Sequence, residues 1–521
     1  MKRCPALFFA ITLIILSALI CSEQNDKTRF TENETSALKV LAGVTQLFKQ
    51  AAPRIWQGYD LSARTYLFYM PDKWALLVNS PSQVKGFQPY PKDFPDLGCP
   101  ALYHPGKYDD LVGQLAFNFQ VDTFQTIAIG VPEALLANFA DPQVYLFGFV
   151  CHEAFHQFQY EAFGEIPWAR EELYPILDER NSALAYIEMR LLMDALKSAY
   201  AGQRKQVEEQ LEQFVAVRKY RWQTADAFVS KFEQGLEIRE GTAQYVQIKS
   251  VVLFKDLPLD KLKDTAVLSL QDEFQTISMP DYLINDFQAR ITEGAISPDD
   301  MPRNRIYPVG STLGLLMDYL NIDWKKKVQH DCPNFSFADL LVAQLGIESD
   351  QAAQLLSKAE KKYDIKKINE TTEKLINDYR GGYEDELKSF DAQPGYRMEI
   401  SFGYQSISRS RSSSCKRWTM RQGEICLCRH YNVYSLKNKD FSFTLTNNGL
   451  YEETDWQEKK KKIVFFTDEI SGIALDDAAF SVDQIQKKPF DRIKIFGKNF
   501  EFSFAGDGEI SVSDNLISVR F

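Results

Sequence analysis

The segment Cys151-His152-Glu153-Ala154-Phe155-His156 constrains this chain more than any other stretch of it. Only five histidines occur among 521 residues, and two of them stand four apart with an acidic residue between them. On a helix that spacing is one turn, so the imidazoles stand about 5–6 Å apart and can reach one ion at about 2.0–2.1 Å. The helix is well marked: Asp141 is an N-cap candidate, Pro142 fits the first helical position, and Gly164 is a stop signal. Val144, Phe147, Cys151, Ala154, Phe155 and Phe158 recur at helical spacing and predict the buried face. Cys151 therefore reads as a small core residue, while His152 and His156 share the adjoining stripe with Gly148. Glu153 lies about 100° round the axis from His152, placed to lean over a metal without ligating it. From there its carboxylate can take a proton from a water that zinc acidifies and hand it to a leaving group. The expected cofactor is one Zn2+ ion.

Two histidines leave a catalytic zinc site incomplete, because such sites use three protein ligands and keep one position for water. Two glutamates compete for the third place. Glu240, in Leu236-Glu237-Ile238-Arg239-Glu240-Gly241-Thr242-Ala243, has small neighbours that would let a second helix come close to the first. Glu179 lies nearer the motif, as does Glu172. The reading favours Glu240, since a long intervening segment adds only logarithmically to the closure entropy. Glu237, one turn before Glu240, reads either as a residue orienting a ligand histidine or as part of a solvated helix face.

This pattern resembles the gluzincins, His-Glu-x-x-His peptidases whose third ligand is a Glu on a second helix, often in a Glu-Gly-x-Ala context. The resemblance implies ligands at His152, His156 and Glu240, with Glu153 as general base. It departs from thermolysin-like and aminopeptidase N-like members in the much longer interval between motif and ligand Glu. A further likeness lies at Tyr307-Pro308-Val309-Gly310, since related enzymes carry a Tyr-x-x-Gly segment whose hydroxyl stabilises an oxyanion. Tyr307 is the candidate for that role, against simple packing beneath a helix start.

The fold implied is α+β, a mainly helical zincin-like metalloprotease with a small N-terminal β-sheet. Thr126–Val131 is read as the sheet edge along which an extended peptide adds. The implied function is zinc-dependent hydrolysis of a peptide or protein substrate. The absence of a Gly-x-Ala-Met-Glu-Asn segment argues against an exopeptidase. Two other readings share the motif: a catalytically silent binding or surface-interaction protein, and a zinc hydrolase of a non-peptide amide or ester.

Lys2 and Arg3 precede an apolar run from Ala6 to Ile20 and then a polar stretch, which describes a signal peptide over residues 1–22 and an exported chain. Cys21 offers a lipid-anchoring site, although Ile20 before it is large for such a cleavage signal. No later apolar run approaches the length of a membrane span, so the expected membrane tie is that lipid alone, and the expected state a monomer. With a net charge of −11, a nucleic-acid partner is not expected. Six cysteines follow the signal, too few to scaffold so large a chain; Cys426 and Cys428 share one strand face and either could pair with Cys415.

The expected organisation is an N-terminal α+β part over 30–140, a zinc-binding helical part over 141–250, a helical lobe over 251–393 and a β-sandwich-like domain over 395–521. The first part should hold a helix over Ser36–Gln50, strands over Thr65–Met70 and Trp74–Asn79, and a loop from Pro81 to Gly106. In the last, Asn447-Asn448-Gly449 and Gly506-Asp507-Gly508 read as turns between short strands. Ser406–Ser414 reads as a polar loop and Lys459–Lys462 as a solvated one.

Overall fold

The computed structural model describes residues 30–521, apart from 60–61, 63, 93, 109–110, 112–115, 132, 134–140, 168, 259–264, 293, 404–406, 414–416 and 421–422. The signal segment with Cys21, and Cys415, lie outside the described residues. Among the described residues no helix is long and apolar enough to cross a membrane. Helices and strands are mixed, and the C-terminal part is a region of sheet.

Seven of its helices surround or support the candidate site: α1 (Glu32–Gln50), α2 (Pro142–Ala162), α3 (Glu179–Tyr200), α4 (Arg204–Thr224), α5 (Ala227–Leu236), α6 (Thr242–Lys255) and α7 (Ile306–Leu320). The chain forms two compact units, one of residues up to 162 with 243–279, the other of 163–242 with 280–521. The observed units follow packing, which keeps α2 with the N-terminal sheet.

In the first unit α1 starts four residues before the expected Ser36, because Thr31 and Glu34 cap it reciprocally. The sheet contains β1 (Tyr66–Met70), β2 (Trp74–Val78), β3 (Gln88–Pro89), β4 (Ala101–Pro105), β5 (Ala116–Val121) and β6 (Phe124–Gly130) in the order β3-β4-β2-β1-β6-β5. Two short strands, β3 and β4, thus lie within the expected loop. The expected edge at Thr126–Val131 is not one. β6 runs parallel to β1 on one side and antiparallel to β5 on the other. The hairpin turns at Asp122, whose φ of 50° supplies the left-handed step such a tight turn needs.

All six residues of the predicted buried face of α2 are buried. A Cβ on Gly43 of α1 would come within 3.3 Å of Phe147, and one on Gly148 within 2.7 Å of Gln247, so α1 and α6 both pack closely on α2.

In the second unit, a Cβ on Gly241 would lie 2.7 Å from the Gly310 Cα. The small residue beside Glu240 therefore serves α7, not the approach to the motif helix that its spacing suggested. A two-stranded hairpin, β7 (Ile291–Thr292) with β8 (Ala295–Ile296), precedes α7.

The C-terminal strands are β9 (Tyr396–Gly403), β10 (Ser408–Ser413), β11 (Arg417–Met420), β12 (Ile425–Lys437), β13 (Phe441–Asp455), β14 (Lys460–Thr467), β15 (Gly472–Leu475), β16 (Ala478–Phe480), β17 (Lys487–Gly497), β18 (Phe500–Ser513) and β19 (Leu516–Arg520). β13 pairs with β18 through Phe441–Leu445 and with β14 through Leu450–Asp455. β18 pairs with β13 through Phe500–Phe504 and with β19 through Glu509–Ser513. Because β14 pairs β9 and β9 pairs β19, these five strands close a ring, a barrel-like connectivity and not two stacked sheets. The two expected turns are bends inside long strands, at the points where β13 and β18 change partners. Asn447 at φ 49° and Gly506 at φ 153° take up the kinks. Ser406–Ser414 is largely strand β10, and Lys461 is a buried residue of β14 paired with Glu452. Both departures arise because cross-strand partners satisfy groups that look solvent-seeking in the sequence.

Gly310→Ala should force α7 away from the helical turn Glu237–Gly241, because the added Cβ would lie 2.7 Å from the Gly241 Cα. The expected loss is on the order of 1–3 kcal/mol in urea unfolding, and an unchanged midpoint would refute the close crossing.

Candidate metal centre

α2 carries His152 and His156 one turn apart, with ring centroids 4.7 Å from each other. Their Nε2 atoms face one another at 3.1 Å. A tetrahedral ion with bonds of about 2.0–2.1 Å holds two nitrogens roughly 3.3 Å apart, so this pair needs almost no movement to share one. Gln159 Oε1 lies 2.7 Å from His156 Nδ1. With Nδ1–H donating to that carbonyl, Nε2 keeps its lone pair, which is the tautomer that ligation requires. Nothing in the reading of the motif singled out Gln159, although its place three residues after His156 puts it on the same face.

α2 is anchored from behind. Tyr59 donates its hydroxyl hydrogen to the Cys151 carbonyl at 3.2 Å, and Trp56 packs on both Phe155 and Tyr245, centroids 5.2 and 6.3 Å away. Cys151 is a core residue, as expected. Burial pushes its thiol up to about 12, so it stays protonated and is a poor ligand.

Glu240 sits on a π-helical turn, Glu237–Gly241, that joins α5 to α6 in one continuous helical run. One ligand atom each from His152, His156 and Glu240 lies within 4.8 Å of the others, and this group can hold a metal ion. Among the described residues no other set of three or more such side chains gathers as closely. His152 and Glu240 are buried, and His156 and Glu153 are half-buried. Glu179, the competing glutamate, is exposed in the first turn of α3, and Glu172 is exposed as well. Neither belongs to the group.

Arg303 is a participant that the sequence reading missed. Its Nη2 donates to Glu240 Oε1 at 3.0 Å and to the Tyr307 hydroxyl at 2.9 Å. Burial pushes the Tyr307 phenol well up, the Glu240 charge pushes the same way, and Arg303 only partly opposes them. The hydroxyl therefore keeps its proton at physiological pH, as a hydrogen-bond donor must. Arg303 lies four residues before Tyr307 but outside α7, so helical periodicity carries no signal for it.

Beneath this turn lies a buried ionic network. Arg218 donates to Glu188 at 2.6 Å and to Glu237; Arg221 donates to Glu188 at 2.6 Å and to Glu233 at 2.5 Å; Arg305 joins Glu233. Tyr174, Asn181 and Trp222 add hydrogen bonds to its members. Every one of the six charged side chains is at most 1% exposed. Three guanidinium groups balance three carboxylates, which is what makes burial of so much charge tolerable. Glu237 is thus neither on a solvated face nor assigned to a histidine; it is spent on Arg218. Burial alone would raise the Glu233 carboxyl, but Arg221 and Arg305 outweigh it and hold the group well below the usual carboxylate range.

Glu240→Ala should abolish stoichiometric metal binding in dialysed protein, read by elemental analysis; retained metal would remove Glu240 from the centre. Because the folded-state value of Glu233 is depressed, its contribution is full above the unfolded value near ~4.3 and fades as pH falls through the folded value. Glu233→Gln should therefore lose about 3–5 kcal/mol at pH 7, since it strands buried guanidinium charge. The variant should also show a flatter acid profile in urea unfolding, and a profile parallel to the parent's would contradict the assignment. No family model, curated protein or solved structure matches this chain.

Proposed function

We propose that this chain is an exported zinc-dependent peptidase of the gluzincin kind. The observation that carries the reading is the convergence of two imidazoles on one helical turn with a distant buried carboxylate, all within 4.8 Å. Two neutral nitrogens and one carboxylate leave net positive charge on a divalent ion, and the set suits zinc over the harder magnesium or calcium, which prefer oxygen ligands. His152, His156 and Glu240 would hold the metal. When bound, zinc supplies a Lewis acid that polarises a carbonyl and acidifies water.

Glu153, next to His152 on α2, would accept the proton of the attacking water and pass it to the departing amine. Tyr307, kept protonated, would donate its hydrogen bond where negative charge develops on the former carbonyl oxygen. Arg303 would hold both the Tyr307 hydroxyl and the Glu240 carboxylate in place. Gln159 would hold the His156 ring in its ligating tautomer.

Glu153→Gln is expected to retain zinc while losing hydrolysis by about 10²–10⁴-fold, the usual reach of general acid–base catalysis. Tyr307→Phe, in the same peptide-library assay, should lower kcat with little change in KM. Full activity in Glu153→Gln would refute the base assignment. Zinc binding without turnover on any peptide, but with turnover on a non-peptide amide or ester, would redirect the substrate class.

A further inference from the structure

A cavity of about 590 Å³ opens in the second unit between the segment Arg170–Ile176 and strands β10–β14. That volume lies in the range of sites that enclose small ligands or a few side chains. Arg170, Glu171, Glu172 and Asp299 line its helical side, and Arg409, Arg411, Arg417, Glu452 and Lys461 its sheet side. On the helical side Glu171 lies 3.6 Å from Arg303, and Asp299 accepts from the Tyr379 hydroxyl at 2.6 Å. On the sheet side Glu452 is neutralised twice over, by Lys461 and by Arg409 at 3.3 Å.

Two guanidinium groups remain on the sheet side. Arg411 of β10 and Arg417 of β11 both line the cavity, and neither meets a carboxylate among the described residues. Both strands pair with β12, so a rigid sheet presents them. Beside them Arg170 stacks over Trp456, its guanidinium 4.7 Å from the ring centroid, making a flat, partly apolar floor. Glu171 ties this cavity to the metal centre, since its partner Arg303 is also the partner of Glu240 and Tyr307.

We propose that this cavity recognises a carboxylate side chain of the peptide substrate, with Arg411 and Arg417 as its anion-binding groups. The C-terminal β region is then a specificity element that selects acidic segments. Planar guanidinium groups bind carboxylates in paired, charge-assisted hydrogen bonds, and two of them on one wall favour an acidic residue over its amide. The proposal rests on the peptidase reading for the identity of the ligand as a peptide.

The test measures binding, not cleavage. Full-length Glu153→Gln protein is titrated into a fluorescein-labelled peptide containing Asp and Glu, and into the same peptide with Asn and Gln, reading anisotropy. The acidic peptide should bind at least about tenfold more tightly, the factor expected of one charge-assisted hydrogen bond. Adding Arg411→Gln with Arg417→Gln should erase that preference, while Arg411→Lys with Arg417→Lys, which keeps the charge, should retain part of it and report an intact fold. Equal binding of the two peptides, or a preference that survives the double Gln variant, overturns the proposal. So does tight binding of a uronate oligosaccharide with no binding of the acidic peptide. If the charge preference appears but the parent protein cleaves nothing, the peptidase reading fails and the cavity assignment stands. If the parent cleaves peptides without regard to charge, the reverse holds.

Discussion

Six charged side chains buried together beneath the turn that carries Glu240 are the interaction on which the second unit depends. Removing a guanidinium or carboxylate from water costs several kcal/mol per ion, and only close, multiply bonded partners offset it. Arg218, Arg221 and Arg305 each contact a buried carboxylate, and Glu188 and Glu233 each serve two arginines. Such a network has few alternative arrangements that leave no charge stranded. It therefore joins α3, α4, α5, the π turn and the start of α7 in one geometry. Glu240 follows Glu237 by three residues, so the position of a candidate ligand is tied to a bond made in the interior.

The candidate metal centre shows the complementary logic. Its two histidines come from a helix whose other face is apolar and fully packed, so their positions follow from burial of Phe147, Phe155 and Phe158. Glu240, which gathers with them, comes from a wider π turn, a feature that recurs at functional sites. Around these three side chains sit further polar groups: Gln159 on His156, and Arg303 on Glu240 and Tyr307. These partners orient and charge-balance the centre, and they are contributed from outside the motif.

The barrel-like closure of the C-terminal strands gives that region a rigid edge on which exposed arginines can be held. Two strands long enough to bend and change partners do the closing. The bends fall at Asn447-Asn448-Gly449 and at Gly506-Asp507-Gly508, the same residues that would end shorter strands. Turn chemistry lowers the cost of a kink, but whether the chain then reverses or continues depends on which strand lies beside it.

The sequence by itself determined the motif helix, its buried face and the inward role of Cys151, because side-chain period and cap chemistry are local. It also narrowed the third ligand to a choice between Glu240 and Glu179. Tertiary structure alone gathered Glu240 with the two histidines and left Glu179 exposed. It alone recruited Arg303, turned Gly241 toward Gly310, placed β5 outside β6, and buried Lys461 within a strand. Each of these outcomes turns on a contact between residues distant in the chain or on a partner's free hydrogen-bonding edge, and no periodicity along the sequence encodes either.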